Sequence, residues 1–223
     1  MPKLSDDYST LSREVAAAGA RLVVVTKTHP VELIQELYDL GHRDFGENRV
    51  AELEEKHARL PKDINWHFIG HLQRNKVKNV LPLVSLIHSG DSLRLLREMD
   101  KRADDSRVDV LLQYHIAEEK SKYGLTPESG RELLESIRKE PLENVRILGV
   151  MGMATYTDDK EQVAQEFRTL HEIYSSVKAE YFEEEPTFSE ISMGMSGDYE
   201  VALQQGSTLV RIGSLLLGKR NYD

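Results

Sequence analysis

The stretch RLVVVTKTHPVELIQELYDLG, residues 21–41, contains one complete strand-and-helix unit. Its first part, LVVVT, is a run of apolar and β-branched residues that predicts a buried strand. Its second part, VELIQELYDLG, has apolar residues at helical spacing, with Pro30 at its first position and Gly41 as its stop. A strand that leads directly into a helix is typical of parallel sheets, because the helix returns the chain to the start of the next strand.

The same pattern recurs along the rest of the chain. Seven further apolar runs predict strands, and segments of helical spacing separate them. These runs are RDFGE (43–47), WHFIG (66–70), VSLIHS (84–89), VDVLLQYHI (108–116), VRILGVMGM (145–153), TFSEISMG (187–194) and TLVRIGSLLLG (208–218). With LVVVT, the chain is therefore predicted to contain eight parallel strands.

Eight such units in 223 residues fit an α/β fold of the compact TIM (β/α)8 barrel type. An additional leading helix, which would take the place of a helix after strand eight, is indicated by Leu4, Tyr8, Leu11, Val15 and Ala18. A doubly wound open sheet is the alternative. That fold has a glycine-rich turn after its first strand, whereas this chain has TKTHP there, so the barrel is favoured.

Composition narrows the class of protein. With 39% hydrophobic and 30% charged residues the chain is typical of a globular protein, and we expect residues 1–223 to form a single domain. The net charge of −9 disfavours nucleic acid and anionic membrane surfaces as partners. The chain has no cysteine, which excludes thiolate nucleophiles and cysteine-ligated metals. It also lacks a membrane-length apolar run and a signal-peptide core, so we expect a cytoplasmic protein. We expect no metal site.

Polar residues at the ends of the last two strands predict an anion site. In strand eight, Arg211 shares one face with Gly213, and a guanidinium inside a barrel needs an acceptor or an anion. Gly213 and Ser214 offer a backbone N–H and a hydroxyl. Ser196 and Asp198 lie where the helix after strand seven begins. Because the loops after strands seven and eight form the usual phosphate site of TIM barrels, we expect a phosphate there.

Lys27, at the end of strand one, would face that anion. It can pair with the phosphate as a point charge, or attack a carbonyl carbon and form a Schiff base. A phosphate and a Schiff-base lysine together leave two classes open, a pyridoxal-phosphate site and a sugar-phosphate aldolase. Taken singly, these residues have plainer explanations: Lys27 as a surface residue, Arg211 paired with Glu190, His71 and Met151 as packing residues.

Several blocks of the sequence resemble the YggS/PROSC family of pyridoxal phosphate homeostasis proteins. These blocks are VVVTKTHP, FGENRV, WHFIGHLQRNKVK, IHSGDS, EEKSKYGL, SMGMSGDYEVAL and VRIGSLLLG. The resemblance implies the barrel fold of the alanine racemase N-terminal domain, with pyridoxal 5′-phosphate held as an aldimine on Lys27. It further implies that Ser196, Gly213 and Ser214 hold the phosphate and that Arg211 lies near the pyridine nitrogen.

The resemblance also implies that Asn48, His71 and Met151 border the cofactor ring. One departure follows strand six, where many relatives have Gly-Leu-Met followed by Thr or Ala and this chain has GVMGMATYTDD. The methionine is retained, but the wall on the substrate side is not expected to follow the family pattern.

We expect this site to support little amino-acid chemistry on the cofactor. A fixed cation beside the pyridine nitrogen disfavours its protonation, which makes the ring a poorer electron sink. Racemisation also needs a second base, which in the racemases is a tyrosine of a C-terminal domain not expected in a chain that ends five residues after Gly218. We therefore expect a monomeric carrier of pyridoxal phosphate that passes it to apo-enzymes, and not an enzyme. A weak racemase acting on free amino acids, a barrel aldolase and a scaffold that has lost its ligand are the alternatives.

Overall fold

Eight parallel strands close into a barrel, with each strand paired to the next and β8 paired to β1. The computed structural model describes residues 2–104, 106–118 and 123–218. The strands are β1 (Arg21–Val25), β2 (Asp44–Glu47), β3 (Asn65–Phe68), β4 (Leu86–Gly90), β5 (Val108–Gln113), β6 (Val145–Met151), β7 (Glu190–Ser192) and β8 (Leu209–Ile212). The closed order confirms the predicted TIM barrel, and the open-sheet alternative is wrong.

Helices surround the barrel. In the described residues they are α1 (Pro2–Ala17), α2 (Val31–Asp39), α3 (Val50–Arg59), α4 (Val77–Val80), α5 (Leu93–Arg102), α6 (Pro127–Lys139), α7 (Lys160–Tyr181), α8 (Tyr199–Gln204) and α9 (Ser214–Leu217). Short 3₁₀ turns, Arg74–Lys76 and Leu81–Leu83, flank α4. Helix α1 confirms the predicted leading helix: it packs against β1 and α9, where it covers the junction between the first and last strands. None of the described helices combines the length and apolarity needed to cross a membrane.

The end of strand eight differs from the prediction. The run 208–218 was expected to be one strand, but β8 stops at Ile212 and Ser214–Leu217 forms the short helix α9. The carbonyl of Gly213 accepts hydrogen bonds from the backbone N–H groups of Leu216 and Leu217, which closes a helical turn. An apolar run cannot by itself distinguish a strand from a buried helical turn.

Two apolar layers fix which side chains face the barrel interior. The larger layer lies between the strands and the helices and includes Phe45 and Trp66, each worth about 1.5–3 kcal/mol by burial. A smaller cluster fills the interior and consists of Val23, Leu86, Leu111, Met151 and Leu209. Because side chains alternate along a strand, the interior position of Leu209 places Arg211 inside the barrel as well. The predicted orientation of Arg211 is therefore confirmed.

The segment EEKSKYG (118–124), which the sequence predicts to be a polar loop, lies largely outside the described residues.

Candidate functional site

The carboxyl ends of β1 and β8 lie side by side and form one edge of the barrel mouth. Val24 is paired with Ile212, which places Val25 next to Gly213. A Cβ atom on Gly213 would lie 2.8 Å from the carbonyl oxygen of Val25, so a side chain would not fit there. Lys27 follows two residues after Val25 and is half-buried. Lys27 and the turn after β8 therefore lie at the same opening, as the sequence predicts.

The turns after β7 and β8 meet at Ser196. Its Oγ atom accepts hydrogen bonds from the backbone N–H groups of Gly213 and Leu215, both at 3.2 Å. One side-chain oxygen thus takes two converging N–H donors, an arrangement that would equally suit an oxygen of a phosphate. Ser214 begins α9 beside these donors and is exposed. The structure therefore brings together the three residues that the sequence assigns to the phosphate.

Arg211 lies inside the barrel below these turns and is 4% exposed. Its Nη1 atom donates to Ser192 Oγ at 2.6 Å, and its Nη2 atom donates to the carbonyl of Gly152 at 3.1 Å. Burial lowers the pKa of Arg211 to about 10, against the opposing charge of Asp198, so the guanidinium stays charged at neutral pH. The alternative pairing of Arg211 with Glu190 is wrong, because Glu190 forms its ion pair with Arg21 at 2.7 Å.

A column of hydrogen-bonded side chains continues from Arg211 through the barrel interior. Ser192 Oγ lies 2.9 Å from His88 Nδ1, and His88 Nε2 lies 2.9 Å from His67 Nδ1. His67 Nε2 lies 3.1 Å from Asp44 Oδ1 near the opposite end of the barrel. We refer to these five residues as the interior column. It connects the mouth to the amino ends of the strands.

The two ends of the interior column limit the directions of its hydrogen bonds. A guanidinium can only donate and an ionised carboxylate can only accept, so Arg211 donates to Ser192 and His67 Nε2 donates to Asp44. The directions between Ser192, His88 and His67 depend on the tautomers of the two histidines. Burial lowers the pKa of His88 well below its ordinary value, and the nearby charges of His67 and Arg211 lower it further. A neutral His88 therefore links Ser192, the acceptor of Arg211, to His67.

Four of the five column residues are not among the site residues that the sequence predicts: Asp44, His67, His88 and Ser192. The signal that could have identified them is strand alternation. His67 and His88 each occupy an inward position of a strand, where an apolar residue would be the ordinary choice for a barrel interior.

Asn48 and Met151 lie near the mouth: Asn48 directly follows β2, and Met151 ends β6. The Oδ1 atom of Asn48 is buried and has no hydrogen-bond partner among the described residues. Gly70 packs against the backbone of Asn48, since a Cβ there would lie 2.3 Å from the Asn48 carbonyl oxygen. Met151 is buried in the interior cluster and is paired with Ser192 of β7. An unpartnered buried acceptor beside the mouth is suited to a ligand donor.

His71 occupies a neighbouring recess. Its Nδ1 atom lies 3.1 Å from Asp91 Oδ2, and its ring stacks on Tyr123 with 3.8 Å between centroids. It lines a surface cavity of about 520 Å³ between the loops after β3 and β4, whose lining includes none of the other predicted site residues. The structure thus places His71 at the rim and does not group it with Arg211.

A closed parallel barrel with a lysine and an anion-type turn at one mouth matches a known class of domain. The chain belongs to the alanine racemase N-terminal domain family, whose model matches residues 2–221. Within that class it falls among the pyridoxal phosphate homeostasis proteins. It is 43% identical over 206 residues to the pyridoxal phosphate homeostasis protein of Aquifex aeolicus, a match that covers 91% of this chain and 88% of the relative.

Solved structures show the same similarity. The structure of PipY from Synechococcus elongatus PCC7942 with pyridoxal phosphate bound is 30% identical, with a TM-score of 0.85, and the match covers 96% of this chain and 100% of PipY. PipY without pyridoxal phosphate matches over the same shares of both chains, at 30% identity and a TM-score of 0.89.

Proposed function

We propose that this chain binds pyridoxal 5′-phosphate reversibly and acts in its intracellular homeostasis, as a single cytoplasmic domain spanning residues 1–223. One observation carries the proposal: the N–H groups of Gly213 and Leu215 converge on Ser196 Oγ at the mouth that also holds Lys27. The Aquifex relative carries that function in its name, and PipY has been solved with the cofactor bound.

The residues at the mouth fit the chemical groups of pyridoxal phosphate. Ser196, Gly213 and Ser214 would bind the phosphate, because two N–H donors and two hydroxyls converge there. Within the described residues, Arg211 uses one hydrogen on each of its two terminal nitrogens. Three of its five N–H donors are therefore available to other acceptors. One of them can reach a ring nitrogen. The buried Oδ1 atom of Asn48 lacks a donor that a ring substituent could supply.

Lys27 would hold the cofactor covalently. When bound, the cofactor supplies an aldehyde carbon, which condenses with an amine to a Schiff base and releases water. Lys27 provides that amine at a half-buried position of the mouth. The phosphate turn provides affinity independent of this bond. Release would then consume one water to break the covalent bond, and the phosphate would have to leave the turn as well.

Carrying, and not catalysis, is the activity that the site supports best. Arg211 keeps a fixed positive charge in the interior, where Ser192 of the interior column accepts its hydrogen bond. A cation beside the ring nitrogen disfavours ring protonation, and with it the withdrawal of electrons that amino-acid chemistry requires. The names of the relatives agree with this assignment.

The surface around the mouth favours transfer to protein partners. Of the six exposed large apolar side chains among the described residues, five lie in the segments that follow β5 to β8: Tyr123, Met153, Tyr156, Met195 and Leu215. A pyridoxal-phosphate-dependent apo-enzyme that covers them would keep water away from the aldehyde during transfer. We propose such apo-enzymes as recipients, free amino acids as small reactants at the mouth, and a monomer as the carrying form.

Borohydride trapping tests the proposed function. Purified protein is incubated with pyridoxal phosphate, reduced, digested and analysed by mass spectrometry, and one adduct on Lys27 is expected. Lys27→Ala should lose the adduct but retain weaker, phosphate-anchored binding, with Lys62→Ala as a matched exposed-lysine control. A wild-type chain without an adduct, or an adduct that persists in Lys27→Ala, would contradict the proposal. Robust D-amino-acid formation that depends on Lys27 would favour the racemase instead.

A further inference from the structure

A buried lysine, Lys56, lies directly behind the turn that carries Lys27. Lys56 of α3 is 5% exposed, and its ammonium group has three hydrogens to donate. Three acceptors meet them: the carbonyl of Thr26 at 2.8 Å, Glu47 Oε1 at 2.6 Å and Glu52 Oε2 at 3.3 Å. All three donors of Lys56 are therefore used. It is a fixed cation and has no role as a second reactive amine.

The two carboxylates around Lys56 also contact the residues on either side of Lys27. Glu47 Oε1 accepts a hydrogen bond from Thr26 Oγ1 at 2.6 Å, and Glu52 Oε2 accepts one from the backbone N–H of Thr28 at 2.7 Å. Burial raises the pKa of Glu52, but the Thr28 bond and the charge of Lys56 outweigh it and leave the pKa below its ordinary value. The group is thus an ionised acceptor at neutral pH.

The backbone of this turn adopts a conformation that needs support. Thr28 has a φ of +65°, a left-handed value that β-branched residues rarely adopt. Such a conformation persists only where surrounding contacts hold it. The bond from Thr28 N–H to Glu52 is such a contact. On the other side of Lys27, Thr26 turns its hydroxyl toward Glu47 and α3, so strand alternation directs the next side chain, Lys27, toward the mouth.

We propose that Lys56, Glu47 and Glu52 form a clamp that fixes the turn Thr26–Thr28 and thereby aims the Lys27 amine at the cofactor aldehyde. They are positioning residues, since they act through the turn and do not touch the cofactor. This inference rests on the proposed function. It separates two steps of binding: the clamp controls the covalent step at Lys27, whereas the turns after β7 and β8 control phosphate affinity.

A graded pair of variants at Glu52 tests the clamp. Glu52→Leu removes the acceptor of the Thr28 N–H, while Glu52→Gln keeps a neutral and weaker oxygen acceptor. The rate of adduct formation at Lys27 should fall about tenfold or more in the leucine variant, because small misplacements of a reacting group are costly, and about threefold in the glutamine variant. Affinity for 4′-deoxypyridoxine 5′-phosphate, which has no aldehyde, should stay within about twofold of wild type, since the phosphate contacts are intact.

Controls distinguish positioning from general loss of structure. Arg59→Leu removes exposed ion pairs from the same helix and should leave the rate unchanged. Thr28→Gly in the Glu52→Leu background should recover part of the rate, because glycine adopts positive φ freely. The glutamine variant still provides the test if the leucine variant does not fold.

Three outcomes would overturn the clamp: an unchanged rate in both Glu52 variants, a parallel loss of rate and analogue affinity, or no recovery by Thr28→Gly. A wild-type chain that forms no adduct at all would overturn the proposed function instead.

Discussion

Two buried cations lie near the mouth, one outside the barrel wall and one inside it, and they are satisfied in different ways. Lys56 lies outside the barrel, between β2 and α3, and bonds to two carboxylates and a carbonyl. Arg211 lies inside the barrel and bonds to a hydroxyl and a carbonyl. The two residues are almost equally buried, at 5% and 4% exposure. Lys56 is therefore bonded directly to carboxylates, whereas in the described residues Arg211 bonds only to neutral acceptors and has the charge of Asp198 nearby.

This difference separates a structural charge from one that can serve a ligand. A buried charge is costly unless partners compensate it, so complete local compensation indicates a role in the fold. Incomplete compensation indicates that a further acceptor completes the group when a ligand is bound. Removing Lys56 should then mainly cost stability, and removing Arg211 should mainly cost ligand binding.

The largest expected effect is that of Lys56→Met on stability. The substitution leaves Glu47, which is fully buried, without its cation, and breaking a buried pair in this way costs about 3–5 kcal/mol. Denaturant unfolding of the apo-protein measures the loss. Adding Glu47→Gln should recover part of it by removing the unpaired charge. Arg146→Met, at the more exposed pair with Asp109, is the control and should cost at most about 1 kcal/mol. A loss below 1 kcal/mol for Lys56→Met would contradict the comparison.

Arg211→Met should reduce ligand affinity more, and stability less, than Lys56→Met does. It leaves only a hydroxyl and a carbonyl without their donor, so the stability loss should be about 1–3 kcal/mol, smaller than for Lys56→Met. Affinity for 4′-deoxypyridoxine 5′-phosphate should fall about tenfold, because one charged hydrogen bond to the ring is lost. Isothermal titration of both variants provides the measurement. Equal affinities in Arg211→Met and wild type would show that Arg211 does not reach the ligand.

The sequence was sufficient for the barrel and for the orientation of Arg211, because both depend on short-range periodicity. A local apolar run predicts each strand, and the alternation of Leu209, Val210 and Arg211 determines which residue faces inward. The anion turn at Ser196 follows from the same logic, since it needs only the neighbouring ends of β7 and β8. The short helix Ser214–Leu217 could not be predicted from this periodicity, since the apolar run continues unchanged from β8.

The contacts of Lys56 and those of the interior column could not be predicted from the sequence, because they depend on packing between distant segments. The helix NRVAELEEKHARL reads as charged and exposed, and nothing in its pattern marks Lys56 as the buried member that reaches Glu47. The interior column likewise joins residues 44, 67, 88, 192 and 211, whose contacts arise from closure of the barrel. Local patterns do not encode such contacts between elements.

The interior column should also make stability depend on pH, in a window set by His88. The pKa of His88 in the folded protein lies well below its ordinary value of 6.5, chiefly because the ring is buried. In the unfolded chain this histidine binds a proton as the pH falls through about 6.5, while in the folded protein it stays neutral, so unfolding becomes more favourable. The free energy of unfolding should therefore decrease below pH 6.5 by up to about 1.4 kcal/mol per pH unit for this group.

His88→Gln isolates that contribution. Glutamine can donate and accept hydrogen bonds but does not titrate. Between pH 5 and 6.5 the free energy of unfolding of the variant should therefore depend less on pH, by the contribution of about one proton. Denaturant unfolding at several pH values measures the slope, and His171→Gln, which changes an exposed histidine on α7, is the matched control. His42, whose pKa burial also lowers, maintains a residual slope in every variant. A slope in His88→Gln equal to that of wild type would mean that His88 carries its proton inside the barrel. A neutral His88 would then not be the link between Ser192 and His67 in the interior column.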